Sequence, residues 1–118
     1  MISCMPLECY LSGRWVEVQN PRCMRAAYRA ATEAAIDLGI EVPHIRFYYR
    51  PLNETLFGYT NGEEIALASD MSDDFATRVV RHDMRHVWQR QRLEWRNKNE
   101  RERENDACLY QLEFALRR

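Results

Sequence analysis

The stretch Val79-Val80-Arg81-His82-Asp83-Met84-Arg85-His86-Val87-Trp88-Gln89 decides how the rest of the chain is read. It holds two of the three histidines, four positions apart, with an acid directly after the first. Helical spacing of i and i+4 puts two side chains on one face about 5–6 Å apart, close enough for one metal ion to bridge them. Phe75, Val79, His82 and His86 follow one another in steps of four, three and four, so the spacing predicts a helix whose apolar stripe runs into the histidines. Paired imidazoles on a core-facing line need polar partners, which favours a metal site over a solvated helix face. The Asp83 carboxylate stands where it can take a proton from water activated by such an ion. In a chain with three histidines, this spacing with an adjacent acid arises by chance about once in a hundred.

Around this stretch the chain divides into two characters. Asn20-Pro21 is a helix start, Arg22 to Leu38 is alanine-rich, and Gly39 ends that helix. Residues 1–20 read as an N-terminal arm with a short strand near 14–18. Ile45 to Arg50 is an apolar and aromatic run that reads as a strand closed by Pro51. A second strand covers Leu56 to Thr60, Asn61-Gly62 makes a hairpin turn, and Glu63 to Ser69 returns. No glycine follows Gly62 and no proline follows Pro51, and from Asp73 onward nearly every residue favours helix. A single helix over that span would run roughly 65–70 Å, too long for so small a domain, so a break is expected near Asn97-Lys98-Asn99. The fold class is therefore α+β: helix, small sheet, then two helices in one domain spanning 1–118.

Composition narrows the functional classes. With 118 residues, 46% of them hydrophobic, the chain has the core of one domain and not of two. No apolar run approaches the ~18 residues of a membrane span, and no secretory signal is visible at the start. A cytoplasmic location with reduced thiols is expected, since Cys4, Cys9, Cys23 and Cys108 form neither a zinc ribbon nor a disulfide framework. The net charge of −1 hides an asymmetry: residues 1–77 carry 6 basic and 11 acidic groups, residues 78–118 carry 11 and 7. The basic half interleaves arginine with glutamate, as on a solvated helix, so nucleic acid is a minor expectation. His44, Gly58 and Gly62 carry no catalytic pattern, and no serine or cysteine has a nucleophile signature.

The second chemical element is Glu102-Arg103-Glu104-Asn105-Asp106-Ala107, with Glu102 and Asp106 at i and i+4. Two histidines with one carboxylate leave a fourth position for water, as in a catalytic zinc site. One of Glu102 and Asp106 could complete the ligand set while the other orients a histidine from behind. If the helix of the histidines ran straight to Arg96, Glu102 could not reach back; the site requires that helix to end near Gln91–Glu94. A hairpin turning at 97–99 would bring Glu113 closer instead, with Glu104 a weaker fallback.

On these residues the chain resembles the zincin metallopeptidases, whose motif is H-E-x-x-H, and within them the gluzincin branch and its short phage-borne or prophage-borne members. The resemblance covers about residues 22–118. It implies a minimal zincin-like fold, a zinc ion held by His82, His86 and Glu102, Asp83 as general base and Asp106 behind the ligands. The implied activity is hydrolysis of peptide bonds in a protein or peptide substrate, laid extended along the strand at 63–69. Asp83 stands where the family has glutamate, one methylene longer. That departure supports an alternative: a zincin scaffold retained as a catalytically weak binding or regulatory module.

Overall fold

In the computed structural model, residues 16–50 and 57–117 are described. Helix α1 (Met24–Leu38) is followed by β1 (His44–Tyr48), β2 (Gly58–Thr60) and β3 (Glu64–Ala68). Helices α2 (Asp73–Arg90), α3 (Leu93–Arg96) and α4 (Glu100–Leu116) complete the chain, giving an α+β architecture. No helix of the described residues is long and apolar enough to cross a membrane. The arm at 1–15, Leu56, Pro51, Cys4 and Cys9 lie outside the described residues. Of the strand expected near 14–18, Glu17 forms a single antiparallel bridge with Tyr48.

α1 begins later than Asn20-Pro21 suggests. Asn20 sits at φ 53°, in the left-handed region that asparagine tolerates, and Pro21 accepts a bond from the Met24 amide in a turn ahead of the helix. Gly39 closes the helix at φ 70°, a left-handed cap that a residue with a Cβ would strain. Ala27, Ala30, Ala31 and Ala34 are fully buried, letting the α1 backbone approach α2 closely. They share one buried core with Val80, Met84 and Val87 of α2 and with Ile65 and Leu67 of β3.

The strand order is β1-β3-β2, with β1 parallel and β2 antiparallel to β3. The strand at 63–69 is therefore the centre of the sheet, not the edge expected to carry substrate. Its residues Ile65 to Ala68 are all buried, as suits a strand flanked on both sides. The sheet edge beside the histidines belongs to β2, whose outer side pairs with no strand among the described residues. The Asn61-Gly62 turn does form: Asn61 Oδ1 accepts the amides of Glu63 and Glu64, each at 2.9 Å, and Gly62 takes φ 94°.

Ser72 caps α2, its Oγ accepting the Phe75 amide at 3.2 Å, with Asp73 and Asp74 in the first turn where the helix dipole favours them. The helix stops at Arg90, as a folded-back ligand requires, and Arg92 leaves it at φ −111°, ψ 120°. Arg85 and Arg92 both stack on the Trp88 ring, at 3.9 and 5.0 Å, and Trp95 packs against Trp88 with ring centroids 6.2 Å apart. These aromatic and cation–π contacts hold the turn. α4 then packs back on α2 through Ala107, Tyr110 and Phe114.

The far end of α4 is tied to α1. Tyr110 donates its hydroxyl to Asp37 Oδ2 at 2.9 Å, and Arg117 pairs with the same carboxylate. Burial, and then the Asp37 carboxylate beside it, push the Tyr110 phenol well above its ordinary range. A phenol harder to ionise when folded than when unfolded stabilises the protein below pH ~10 and loses that contribution as pH rises further. Against a Tyr110→Phe variant, the parent should lose about 1.4 kcal/mol of stability per pH unit above ~10. Urea titrations between pH 8 and 11 read this difference, and parallel curves would refute it.

Candidate metal centre

The cleft between β2, α2 and α4, about 520 Å³ in volume, is where the chemistry-bearing residues meet. The stripe Phe75, Val79, His82 and His86 lines it and is half-buried, so it faces a cavity instead of the closed core. On α4 the facing stripe is Glu104, Cys108 and Gln111, spaced four and three apart.

His82 Nε2 and His86 Nε2 lie 3.2 Å apart. Glu104 completes the triangle, with Oε2 2.8 Å from His82 Nε2 and Oε1 3.1 Å from His86 Nε2. The three ligand atoms are thus mutually within 4.8 Å, the one such group of three or more metal-binding side chains among the described residues. Ligands at ~2.0–2.1 Å from a tetrahedral zinc are separated by about 3.3 Å, so this donor set fits zinc in both chemistry and spacing.

The carboxylate the geometry brings in is Glu104, not Glu102. Glu102 occupies the third position of α4, where its side chain accepts the Asn99 amide at 3.2 Å while Asn99 Oδ1 accepts the Glu102 amide at 2.8 Å. This capping box occupies Glu102 at the helix start. Two residues along a helix is a turn of about 200°, so Glu102 and Glu104 point to opposite sides. Glu113 lines a different cavity with Asp37 and Arg117 and does not join the histidines.

Asp106 reaches one of the two histidines, His86, through an intermediary that the sequence did not single out. Gln89 is 1% exposed, and its Nε2 donates to Asp106 Oδ2 at 2.8 Å and to the Arg103 carbonyl at 3.0 Å. Those two acceptors fix the amide orientation and leave Gln89 Oε1 2.9 Å from His86 Nδ1. An oxygen there accepts, so His86 Nδ1 carries the proton and Nε2 presents its lone pair to the cleft. Arg85 holds Asp106 from the other side, Nε to Oδ2 at 2.7 Å. Burial works to raise the Asp106 carboxyl, but the bonds from Arg85 and Gln89 outweigh it and keep it below its usual range. Gln89→Leu should weaken zinc binding by about 10- to 100-fold, read by competition with a chromophoric chelator. An unchanged affinity would remove Gln89 from this role.

Asp83 is 5% exposed and lines the cleft, and its Oδ2 has no hydrogen-bond partner among the described residues. Burial, and secondarily the nearby Glu104 charge, push its carboxyl well above the usual carboxylate range. β2 comes so close that a Cβ on Gly58 would stand 2.8 Å from Asp83 Oδ2 and 2.4 Å from Val79 Cγ1. Glycine at 58 lets the strand pass over the carboxylate. Burial lowers the His82 imidazole, helped by His86, while the Glu104 carboxylate opposes the shift. A neutral imidazole is the form that ligates a metal. Cys108 Sγ lies 3.9 Å from His82 Nδ1, on the side of the ring away from the ligand atom.

No protein-family model, curated protein or solved structure matches the chain. The functional reading therefore rests on the residues themselves. What they offer together is three convergent ligand atoms, a buried carboxylate beside them, and a strand edge across the cleft.

Proposed function

We propose that the protein is a minimal zincin-type, zinc-dependent peptidase that hydrolyses peptide bonds of a protein or peptide substrate. The observation that carries this reading is the pairing of a His82–His86–Glu104 ligand set with a buried, unpartnered Asp83 oxygen in one cleft. Structural ion sites have no use for such a carboxylate, and an unsatisfied buried oxygen costs about 1–3 kcal/mol.

His82 Nε2, His86 Nε2 and the Glu104 carboxylate would hold the ion. When bound, zinc lowers the pKa of water toward 7 and polarises a carbonyl oxygen. The chain's own residues do the rest. Asp83, made a stronger base by burial, accepts a proton within the cleft and returns it to the leaving amine. Gln89 keeps the His86 proton on Nδ1, with Asp106 and Arg85 behind it. The outer edge of β2 pairs with no strand among the described residues, and Phe57 to Thr60 line the cleft. An extended substrate adding to that edge would lie with its backbone across the ligand atoms.

The test is cleavage of an unfolded protein and a mixed peptide pool by zinc-loaded protein, with products read by mass spectrometry. New termini should appear in the parent, and vanish with a zinc chelator and in His82→Ala. A zinc-loaded parent whose products match those of His82→Ala would overturn the reading.

A further inference from the structure

A second cavity, about 690 Å³, adjoins the cleft at His86. His86 and Arg103 line both cavities, so the two meet at the ligand residue. The volume falls within the ~300–1,000 Å³ of small-ligand pockets. Its apolar wall comes from Val42 and Pro43, in the α1–β1 connection, and from Val87. Its cations are Arg90, Arg96 and Arg103.

The charges on this rim are unequally satisfied. Arg90 is met by Glu63 at 3.8 Å. Arg96 pairs with no carboxylate among the described residues, and the Arg103 guanidinium donates to the neutral carbonyl of Lys98. Glu41 is the remaining rim carboxylate. An apolar wall with two guanidinium groups not met by carboxylates suits a ligand with an aliphatic stem and an anionic end, since guanidinium takes carboxylate in a planar fork.

We propose that this cavity is the selectivity pocket of the cleft, taking a carboxylate of the bound peptide. The stem lies against Val42, Pro43 and Val87, and the carboxylate is held by Arg96 and Arg103. The inference rests on the peptide-binding reading above. The carboxylate has two sources, a glutamate side chain within the peptide or the peptide's own C-terminus. Gln89 also lines this cavity, so an occupant would touch the residue that orients His86.

The experiment is fluorescence anisotropy of labelled heptapeptides on zinc-loaded protein, with glutamate, glutamine or lysine scanned through each position. Each peptide is made with a free and an amidated C-terminus. Binding is the readout, so the result does not depend on turnover. One position, or the free C-terminus, should bind about tenfold more tightly as carboxylate than as amide, and Arg96→Glu should invert the preference toward lysine. Arg96 is exposed, so the reversal is tolerated by the fold, and Arg96→Lys should retain a carboxylate preference. Equal affinity for glutamate, glutamine and lysine peptides, with no effect of the C-terminus, would overturn the pocket even if the peptides are cut. Carboxylate preference without cleavage would overturn the peptidase instead, and absence of any binding would overturn both.

Discussion

Glu104→Ala should lower zinc affinity by more than about 100-fold, while Glu102→Ala leaves zinc bound and costs about 1 kcal/mol of stability. The contrast follows from where two neighbouring acids point. Glu104 Oε2 and Oε1 stand 2.8 and 3.1 Å from the two imidazole Nε2 atoms, so its removal would take one of the three candidate ligands. Glu102 closes the capping box with Asn99, and its loss uncovers one backbone amide at the start of α4. Zinc content after gel filtration and a competition titration separate the two variants. If Glu102→Ala lost the metal and Glu104→Ala retained it, the centre as drawn would be wrong.

The second large effect concerns Asp83. Asp83→Asn should reduce peptide hydrolysis by about 10²- to 10⁴-fold while leaving zinc bound. The same substitution should raise stability, by about 1–3 kcal/mol, or at least not lower it. The carboxylate is 5% exposed and its Oδ2 has no partner among the described residues, so the folded state carries a group it does not satisfy. An amide of the same shape brings no charge into that site. A structural aspartate behaves oppositely, since removing it breaks bonds it makes. Urea unfolding of the zinc-loaded pair, set beside turnover, tests both halves; a variant that is less stable and equally active would refute the assignment.

Much of the framework was legible because it depends on local chemistry. Gly39 ended α1 as its spacing predicts, Asn61-Gly62 made the turn, and the histidine pair marked one face of α2. The early end of α2 followed from reach: a ligand on α4 cannot meet the histidines unless the chain folds back after residue 90. What stops the helix there was not legible, since Arg92, Trp88 and Trp95 are ordinary helix residues, and their mutual stacking exists only in the folded chain. Strand order was hidden for a similar reason. The turn at Asn61-Gly62 does not tell an edge from a centre, and the one signal in residues 63–69 was the unbroken apolar run Ile65 to Ala68, which suits a strand flanked on both sides. Choosing between Glu102 and Glu104 required the phase of α4. The spacing of Ala107, Tyr110 and Phe114 against Glu104, Cys108 and Gln111 contains that phase, while the i,i+4 relation of Glu102 and Asp106 does not. Gln89 left no trace in the motif, because a buried amide that fixes a tautomer looks like any glutamine on a helix.

The ligands come from two places in the chain: the histidines from α2, and Glu104 eighteen positions beyond His86. An ion bound there would be a clasp as well as a reagent. It closes a loop of that length, and a crosslink closing a loop of ~15 residues restricts the unfolded chain by about 3 kcal/mol. In so small a domain that is a substantial share of a total stability of about 5–15 kcal/mol. Demetallation would then remove the reactive centre and loosen the C-terminal helix together. A molecule stripped of that ion would then be easier for proteases to degrade, and its working life would be tied to the supply of metal.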